Sequence, residues 1–528
     1  MKQLPYIALI VIFGFIIYAN ALNNDFIYDD HGLVVDNKYI KDWQFLPKIF
    51  TMPLPGGYNV ETNFYRPIQA LTYLFDYSLF KLKPLGYHLT NILLHLINGI
   101  LVFLLINMIS KNLAVSTISS LLFVIHPIQT EAVTYISGRA DPLSCLFMLL
   151  SLFLFIKYNT LKKRITYLGS IFCFILSLLS KEITIVFPLL LILYDYYFLN
   201  EKDKTSFLNK IKTRYLSFFL VVVIYTILRL TILNFPAEEA ATLKAVNPYF
   251  RLLTAAKVFF VYLKLLFVPL GLHMERTIKV PEYFLEPAAL ISAIGLALLL
   301  VLTVKLRKKS KIASFGLSWF FINLIPVSNI LPLNAFLAEH WLYIPSIGFL
   351  LAVGVIAERL INEKREILRK LAMASFALIF LFYCVLTIAR NFDWRDNIAF
   401  YLKTLKYAPN SARIYYNLGN EYFRLEQLDK AMELYQEAFK INPNYADAYN
   451  NLGSIYYEKG KLDKAIETFN RAIEINPNNA KYYNNLGSAY AEKKLFNEAK
   501  TNWKKAIELD PTRSSAGENL KKLEQFEY

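Results

Sequence analysis

Long apolar runs recur along the first 390 residues of this chain. A helix needs about 17 to 25 apolar residues to cross a bilayer. Runs near that length lie at 4–22, 88–109, 141–157, 164–180, 182–199, 215–234, 287–304, 341–357 and 371–390, with two shorter ones at 113–127 and 312–328. The pattern predicts an all-α bundle of about eleven membrane-spanning helices.

Basic tracts between the apolar runs orient the predicted spans. Lys and Arg cluster at 157–164, 202–214, 305–311 and 359–370, and such tracts stay on the cytoplasmic side. If the amino terminus is cytoplasmic, all four tracts lie on the cytoplasmic side only when the segment 252–270 does not cross the membrane. We therefore interpret 252–270, which contains Lys257 and Lys264, as interfacial or re-entrant, and expect the carboxyl terminus outside.

The pattern changes after Arg390, where a 34-residue period begins. Asn-Leu-Gly recurs at 417–419, 451–453 and 485–487, and proline at 409, 443, 477 and 511. This period is typical of the tetratricopeptide repeat, in which helix pairs stack into a solenoid. Small residues at fixed positions allow the two helices of each pair to approach closely.

These patterns divide the chain into two predicted domains. A transmembrane domain is expected at 1–390, with its first outer loop at about 23–87, and a repeat domain at 391–528. Within the repeat domain we expect a half repeat at 394–410, repeats at about 411–444, 445–478 and 479–512, and a closing helix at 513–526.

Composition excludes a soluble protein and disfavours nucleic-acid binding. The chain is 55% hydrophobic with a mean hydropathy of +0.35, and its net charge of +16 is concentrated in the tracts between apolar runs. The three cysteines lie inside apolar runs without metal-ligand spacing. The first run, 4–22, is longer than a usual signal-peptide core, which favours an uncleaved first span over cleavage after Ala21.

Ionisable residues gather in the predicted outer loops, where their placement next to a membrane suggests a shared functional pocket. They are Asp29, Asp30, Arg66, His88, His126, Glu131, Arg139, Asp141, Lys181, Glu182, Glu339 and His340.

Each of these residues also has a structural interpretation. The acidic pair 29–30 is suited to ending the first span at the interface, and His126-Pro127 to ending a helix. Lys181 with Glu182, and Arg139 with Asp141, are candidates for structural ion pairs. No histidine spacing predicts a metal site.

Several motifs, in order along nearly the whole chain, resemble the transmembrane and tetratricopeptide-repeat protein O-mannosyltransferases and their prokaryotic relatives. These belong to the GT-C glycosyltransferase superfamily. The motifs are Asp29-Asp30, Phe64-Tyr65-Arg66-Pro67, the stretch from His126-Pro127 through Thr130-Glu131-Ala132-Val133 to Gly138-Arg139-Ala140-Asp141, Lys181-Glu182, and Tyr343-Ile344-Pro345-Ser346-Ile347-Gly348-Phe349. One departure is Glu339-His340, where the family pattern has an acidic residue followed by arginine.

The resemblance implies transfer of a sugar, with mannose expected, from a polyprenyl-phosphate donor to a hydroxyl acceptor such as protein Ser or Thr. It assigns the catalytic base to Asp29 or Asp30, with inversion at the anomeric carbon. We favour Asp29 as the base and Asp30 as its positioning partner.

The departing phosphate needs cations, and the resemblance points to four: Arg66, Arg139, Lys181 and His340. Supporting roles fall to His88, His126, Glu131, Asp141, Glu182 and Glu339. No cofactor is expected, and metal independence is favoured over a requirement for a divalent cation, since protein cations suffice for a monophosphate.

The expected setting is a prokaryotic plasma membrane, with the repeats and the reaction on the outer face. The repeats are expected to hold a protein or peptide acceptor, or to serve as a docking platform. The rival functions are a membrane-anchored repeat scaffold without catalysis, and a transporter, which the lack of ionisable residues near span centres disfavours.

Overall fold

The computed structural model describes residues 3–54, 62–199, 214–235, 246–333, 335–511 and 514–526. These residues form helices and connecting turns without a strand, which confirms the all-α prediction. The chain divides into two compact units, Met1–Asp396 and Asn397–Tyr528. The predicted boundary lay at 390, and most of the predicted basic tract 202–214 falls outside the described residues.

Fifteen helices of the first unit lie within the described residues. They are α1 (Leu4–Tyr18), α2 (Leu46–Ile49), α3 (Pro67–Phe80), α4 (Pro84–Ser110), α5 (Leu113–Ile125), α6 (Thr130–Val133), α7 (Ala140–Leu161), α8 (Arg164–Ser180), α9 (Phe187–Phe198), α10 (Leu216–Leu230), α11 (Pro248–Phe267), α12 (Pro287–Leu306), α13 (Lys311–Leu324), α14 (Tyr343–Ile361) and α15 (Glu366–Phe392).

Short 3-10 or π turns extend or connect these helices at Ala19–Asn23, His31–Val35, Lys38–Ile40, Trp43–Phe45, Pro127–Gln129, Ile136–Arg139, Glu182–Val186, Ile325–Val327 and Glu339–Leu342. Several of these turns carry the predicted site residues. The polar motifs therefore occupy breaks in the helices rather than their middles.

Six of the described helices are long and apolar enough to cross a membrane, and a seventh crossing results if α5 and the segment Pro127–Val133, bent by 51°, form one span. Of the remaining predicted spans, Arg164–Ser180, Leu216–Leu230 and Lys311–Val327 are shorter apolar helices. Helix α9 has only 12 residues, because the turn Glu182–Val186 interrupts its predicted run. The described helices thus support fewer full-length spans than the eleven expected.

The predicted non-crossing segment 252–270 lies within α11, which is not among the six long apolar helices. One face of α11 packs into the core through Phe259 and Leu266, while Lys257 pairs with Glu286 at 2.9 Å. That polar contact is compatible with an interfacial helix, and whether α11 crosses remains a prediction.

The second unit is a series of antiparallel helix pairs. It contains α16 (Asn397–Tyr407), α17 (Ala412–Arg424), α18 (Leu428–Ile441), α19 (Ala446–Glu458), α20 (Leu462–Ile475), α21 (Ala480–Glu492), α22 (Phe496–Leu509) and α23 (Ser514–Phe526). The periodic alanines 431, 465 and 499 are fully buried. Each predicted repeat holds one helix pair, and α16 and α23 occupy the predicted half repeat and closing helix.

The periodic glycines mark the closest approach within each helix pair. A Cβ added to Gly453 would lie 2.7 Å from the ring of Phe469, which is itself buried. By contrast, a Cβ at Gly517 in α23 would meet no heavy atom within 4 Å. An alanine at position 453 would therefore clash with its neighbours, whereas an alanine at position 517 would not.

We expect Gly453→Ala to destabilise the second repeat by about 1 to 3 kcal/mol, because the methyl group overpacks a filled interface. Gly517→Ala, the matched control, should stabilise α23 by about 0.5 to 1 kcal/mol, since alanine favours the helix. Hydrogen exchange of segment 445–478 in the whole protein measures the effect. Equal protection in both variants would contradict the close approach.

Candidate active site

A break after α5 carries polar residues into the bundle. His126 has extended backbone angles, as expected before proline, and is fully buried. Its Nδ1 accepts the Ile128 N–H at 3.1 Å, while Nε2 faces the Leu266 carbonyl at 3.0 Å. These partners assign the neutral Nε2–H tautomer. His126 therefore ends one helix and ties it to α11, in agreement with its structural interpretation.

Asp30 connects the first loop to this segment. Its Oδ1 accepts hydrogen bonds from the Ser137 N–H at 2.8 Å and the Ser137 hydroxyl at 2.5 Å, and its Oδ2 accepts the Ile27 N–H at 3.1 Å. The side chain is fully buried. Burial raises the pKa of Asp30 to about 7, although the bonds from Ser137 and Ile27 oppose this shift. Asp30 is thus an internal anchor.

Asp29 differs from its neighbour because it is only partly buried. Its backbone N–H donates to the Tyr135 hydroxyl at 3.1 Å. The preceding residue, Tyr28, has a φ of 48°, so the chain turns sharply just before the acidic pair. The structure therefore places the two residues in different surroundings, with Asp30 fully buried and Asp29 partly exposed.

Gly138 keeps these elements together. A Cβ at this position would lie 2.3 Å from the carbonyl oxygen of Glu131, so no larger residue fits without a shift. The turn Ile136–Arg139 consequently packs directly on α6. Ser137 and Glu131, which belong to different parts of the site, are held next to each other.

Arg139 is fully buried and committed to internal partners. Its Nη1 lies 2.6 Å from Asp76 Oδ2, its Nε donates to Asn91 Oδ1 at 2.6 Å, and its Nη2 donates to the Tyr87 carbonyl at 3.0 Å. The proposed pairing with Asp141 is wrong, and Arg139 is not accessible to a phosphate. Sequence analysis missed Asp76, whose only signal was a lone carboxylate within the apolar helix α3.

Lys181 and Glu182 do not pair with each other, contrary to their structural interpretation from sequence. Lys181 donates to both carboxylate oxygens of Asp141 at 2.8 Å, and this pair is buried. Glu182 instead receives two bonds from Arg66, at 2.8 and 3.2 Å. Of the two cations, Arg66 is partly exposed, whereas Lys181 is buried and stabilises the fold through its ion pair.

Glu339 and His340 point to different partners. Glu339 Oε1 accepts the Arg276 Nε–H at 2.6 Å and the His273 N–H at 2.7 Å. The Nδ1 of His340 lies 2.7 Å from Glu131 Oε1, and the His340 N–H donates to Glu131 Oε2 at 3.2 Å. The His340 side chain remains 27% exposed.

Two arginines of this cluster were missed by sequence analysis. Arg276 binds Glu339, and Arg390 lies with its Nη2 4.0 Å from Glu339 Oε2 while its Nη1 donates to Asp393 at 3.0 Å. Arg390 is 5% exposed, and its Nε and Nη2 have no hydrogen-bond partner among the described residues. Little in the sequence indicated their importance, because each is an isolated arginine near the border of an apolar run.

A short series of contacts joins Asp29 to this cluster. Tyr135, which binds the Asp29 backbone, stacks on Trp394 with ring centroids 5.2 Å apart. The Arg390 guanidinium lies 5.1 Å from the Trp394 ring. The candidate active site therefore comprises Asp29, the ring pair and the Glu131–His340 and Glu339–arginine clusters.

His88 lies outside this arrangement. Its Nε2 contacts the Asn24 carbonyl at 3.1 Å, and the side chain is buried. It thus secures the end of the first helix. Throughout the described ranges, no group of three or more His, Cys, Asp or Glu residues is placed to hold a metal ion.

The raised pKa of Asp30 predicts a pH-dependent stability. An acid whose folded-state pKa lies above its unfolded value near 3.8 binds its proton more tightly when folded, so its contribution is lost as pH rises towards 7. Relative to Asp30→Asn, the wild type should lose about 1.4 kcal/mol per pH unit within that window. Thermal unfolding in detergent at pH 5, 6, 7 and 8 measures this difference.

Asp36→Asn provides the control, because Asp36 lies exposed on the same loop. The same pH series for this variant separates the loss of an exposed carboxylate of this loop from the loss of the buried one. A constant difference between the wild type and Asp30→Asn from pH 5 to 7 would show that Asp30 is not buried as described.

Comparison with known proteins agrees with this architecture. The profile described as TPR repeat matches 419–460 and 453–494, and that of the tetratricopeptide repeat matches 400–433 and 480–513. Among solved structures, the first TPR of Spaghetti (RPAP3) bound to an HSP90 peptide is 27% identical, with a TM-score of 0.21, and covers 22% of this chain and 90% of that one.

Similarity to curated proteins covers most of the chain. Protein O-mannosyl-transferase F38B6.6 of Caenorhabditis elegans is 27% identical over 420 residues, 76% of this chain and 58% of the relative. Protein O-mannosyl-transferase TMTC3 of Mus musculus is 27% identical over 457 residues, 80% of this chain and 49% of the relative. The chain spans about half the length of the curated relatives that it matches. It is an integral membrane protein with a repeat domain, and it is similar to proteins that are named protein O-mannosyl-transferases.

Proposed function

We propose that this protein transfers a mannosyl group from a polyprenyl-phosphate donor to a Ser or Thr hydroxyl of a protein acceptor. The observation that carries the proposal is the partial exposure of Asp29, whose backbone N–H donates to Tyr135, while Tyr135 stacks on Trp394 beside Arg390. The names of the relatives support the reaction class.

In this reaction Asp29 acts as the general base. Its carboxylate takes the proton from the acceptor hydroxyl as that oxygen attacks the anomeric carbon. The bond from this carbon to the phosphate oxygen breaks on the opposite face, so configuration inverts and the polyprenyl monophosphate leaves. Asp30 does not contact substrate but keeps the loop fixed on Ser137.

We propose a set of cations for the phosphate that differs from the set indicated by the sequence. Arg139 and Lys181 are enclosed in buried ion pairs, and breaking such a pair costs about 3 to 5 kcal/mol. His340 retains partial exposure, and Arg276 and Arg390 lie in the adjoining Glu339 cluster. Arg66, which is also partly exposed, pairs with Glu182. We propose that His340, Arg276 and Arg390 neutralise the monophosphate, with Arg66 as a further candidate, and that the reaction is independent of metal ions.

Apolar residues beside this cluster suit a lipid donor. Phe267, Val268 and Leu270 are exposed by 61, 44 and 53%, and they directly precede the segment that supplies Arg276. A polyprenyl chain in the bilayer can contact them while its phosphate reaches the arginines. We place this site on the outer face of a plasma membrane, with prokaryotic origin favoured by the generic repeats.

The repeat unit is proposed to bind the protein acceptor, since concave solenoids recognise extended peptides. The first helix of each repeat carries amide side chains that pair with those of the neighbouring repeat. Asn451 donates to Asn420 at 2.8 Å, and Asn485 donates to Asn450 at 2.9 Å. Side-chain amides can both donate to and accept from a peptide backbone. A purely structural scaffold remains the second candidate function.

Asp29→Asn should lower transfer by about 10²- to 10⁴-fold, because the general base is lost. Asp36→Asn, in the same loop, should keep wild-type activity. Purified protein is assayed with polyprenyl-phosphate mannose and an acceptor peptide, and the product is measured by mass spectrometry. Full activity in Asp29→Asn would overturn the assignment of the base, whereas no transfer by the wild type would favour the scaffold.

Removal of 411–528 should raise the KM for a protein acceptor and leave slow hydrolysis of the donor intact, since the donor site lies in the first unit. Both rates are measured on the same preparation. Unchanged transfer to the acceptor would show that the repeats act only as a docking platform.

A further inference from the structure

His340 has the geometry of an imidazole prepared for proton transfer. Its Nδ1 lies 2.7 Å from Oε1 of the buried Glu131, which fixes the ring orientation. Nε2 lies on the opposite side of the ring and has no hydrogen-bond partner among the residues that the structure describes. Because the side chain is 27% exposed, a ligand can approach this nitrogen.

The partner of His340 is a buried carboxylate that accepts two hydrogen bonds from this residue. Glu131 accepts both the Nδ1–H and the backbone N–H of His340, and its side chain is only 4% exposed. A buried carboxylate is costly unless a positive charge pairs with it. An imidazolium at this position supplies that charge through Nδ1–H and presents its Nε2–H away from Glu131.

Other charged groups around this pair are already engaged or balanced. Arg390, on α15, attracts the Glu131 carboxylate electrostatically. Arg276, His273 and Glu339 lie in the adjoining cluster. The Tyr262 hydroxyl from α11 accepts the Ala338 N–H. The two arginines supply permanent charge, whereas His340 can supply a transferable proton.

We propose that His340, oriented by Glu131, donates its Nε2 proton to the departing phosphate of the donor. This proposal rests on the proposed function and deepens it by naming the general acid. A phosphate monoester has a second pKa near 6, so proton transfer from an imidazolium is close to balanced. An arginine at the same place can neutralise the phosphate but cannot transfer a proton.

The complete step balances in atoms and charge. The acceptor oxygen bonds to the anomeric carbon, its proton passes to Asp29, and the bond from carbon to phosphate oxygen breaks. The proton of His340 Nε2 moves to a phosphate oxygen, so the lipid leaves as a singly protonated monophosphate. The two side chains return to their starting states by exchanging protons with solvent. His340 is thus a catalytic residue and Glu131 a positioning residue.

The test compares the pH dependence of kcat/KM for the wild type, His340→Arg, His340→Gln and Glu131→Gln between pH 5.5 and 9. The wild-type rate should fall about tenfold per pH unit on the basic side, as the acid loses its proton. His340→Arg should keep measurable transfer but lose this decline. Glu131→Gln should move the decline to lower pH, because the imidazolium loses its counter-charge.

Folding is checked by thermal unfolding, and His340→Gln tests the site if the larger arginine does not fit. A wild-type decline retained in both His340 variants would overturn the proposal. So would a rate that rises with pH and depends on His340, since the residue would then act as a base. A structural role alone would change stability without moving the pH profile.

A second measurement separates this proposal from the proposed function. Binding of citronellyl phosphate, a short polyprenyl monophosphate, is followed by thermal shift at pH 6 and 8.5. The wild type should bind more tightly than His340→Gln at pH 6, by about tenfold, and similarly at pH 8.5. If the wild type transfers no sugar, the function fails; if binding is equal in both proteins at both pH values, the His340 assignment fails.

Discussion

The arrangement depends on one constraint, which is that a polar segment lies inside an apolar bundle where every buried group needs a partner. Residues 126–141 leave α5 at a proline break and are almost entirely buried. Water cannot satisfy their hydrogen bonds there, and each unsatisfied group costs about 1 to 3 kcal/mol. The segment is therefore bonded to α11 through His126, to the first loop through Ser137, and to α15 through Thr134.

Burial divides the ionisable residues into two kinds. Arg139 with Asp76, and Lys181 with Asp141, are closed pairs that hold helices together and are inaccessible to substrate. Asp29, Arg66 and His340 keep partial exposure. The buried pairs fix the backbone, and this rigidity positions the exposed groups for chemistry.

Much of the candidate site could be predicted from the sequence, and the wrong predictions of ion-pair partners have a common cause. The polar motifs were expected to share one region, and contacts from Tyr135 to Trp394 and Arg390 do link Asp29 with the Glu339 cluster. The partners of Arg139 and Lys181 were wrong because residues adjacent in sequence point in different directions at a turn. Lys181 faces α7 whereas Glu182 faces Arg66, a separation that only long-range packing imposes.

The sequence by itself determined the helices, the apolar runs and the 34-residue repeat, because these follow from periodic burial of one helix face and from small residues at fixed spacing. It also indicated the acidic pair as chemically important. Only the tertiary structure decided that Asp30 is enclosed by Ser137 while Asp29 stays accessible, and that Glu131 orients His340. These relations join residues 106 to 209 positions apart, and the physical reason is that burial and hydrogen-bond partners are properties of the packed bundle.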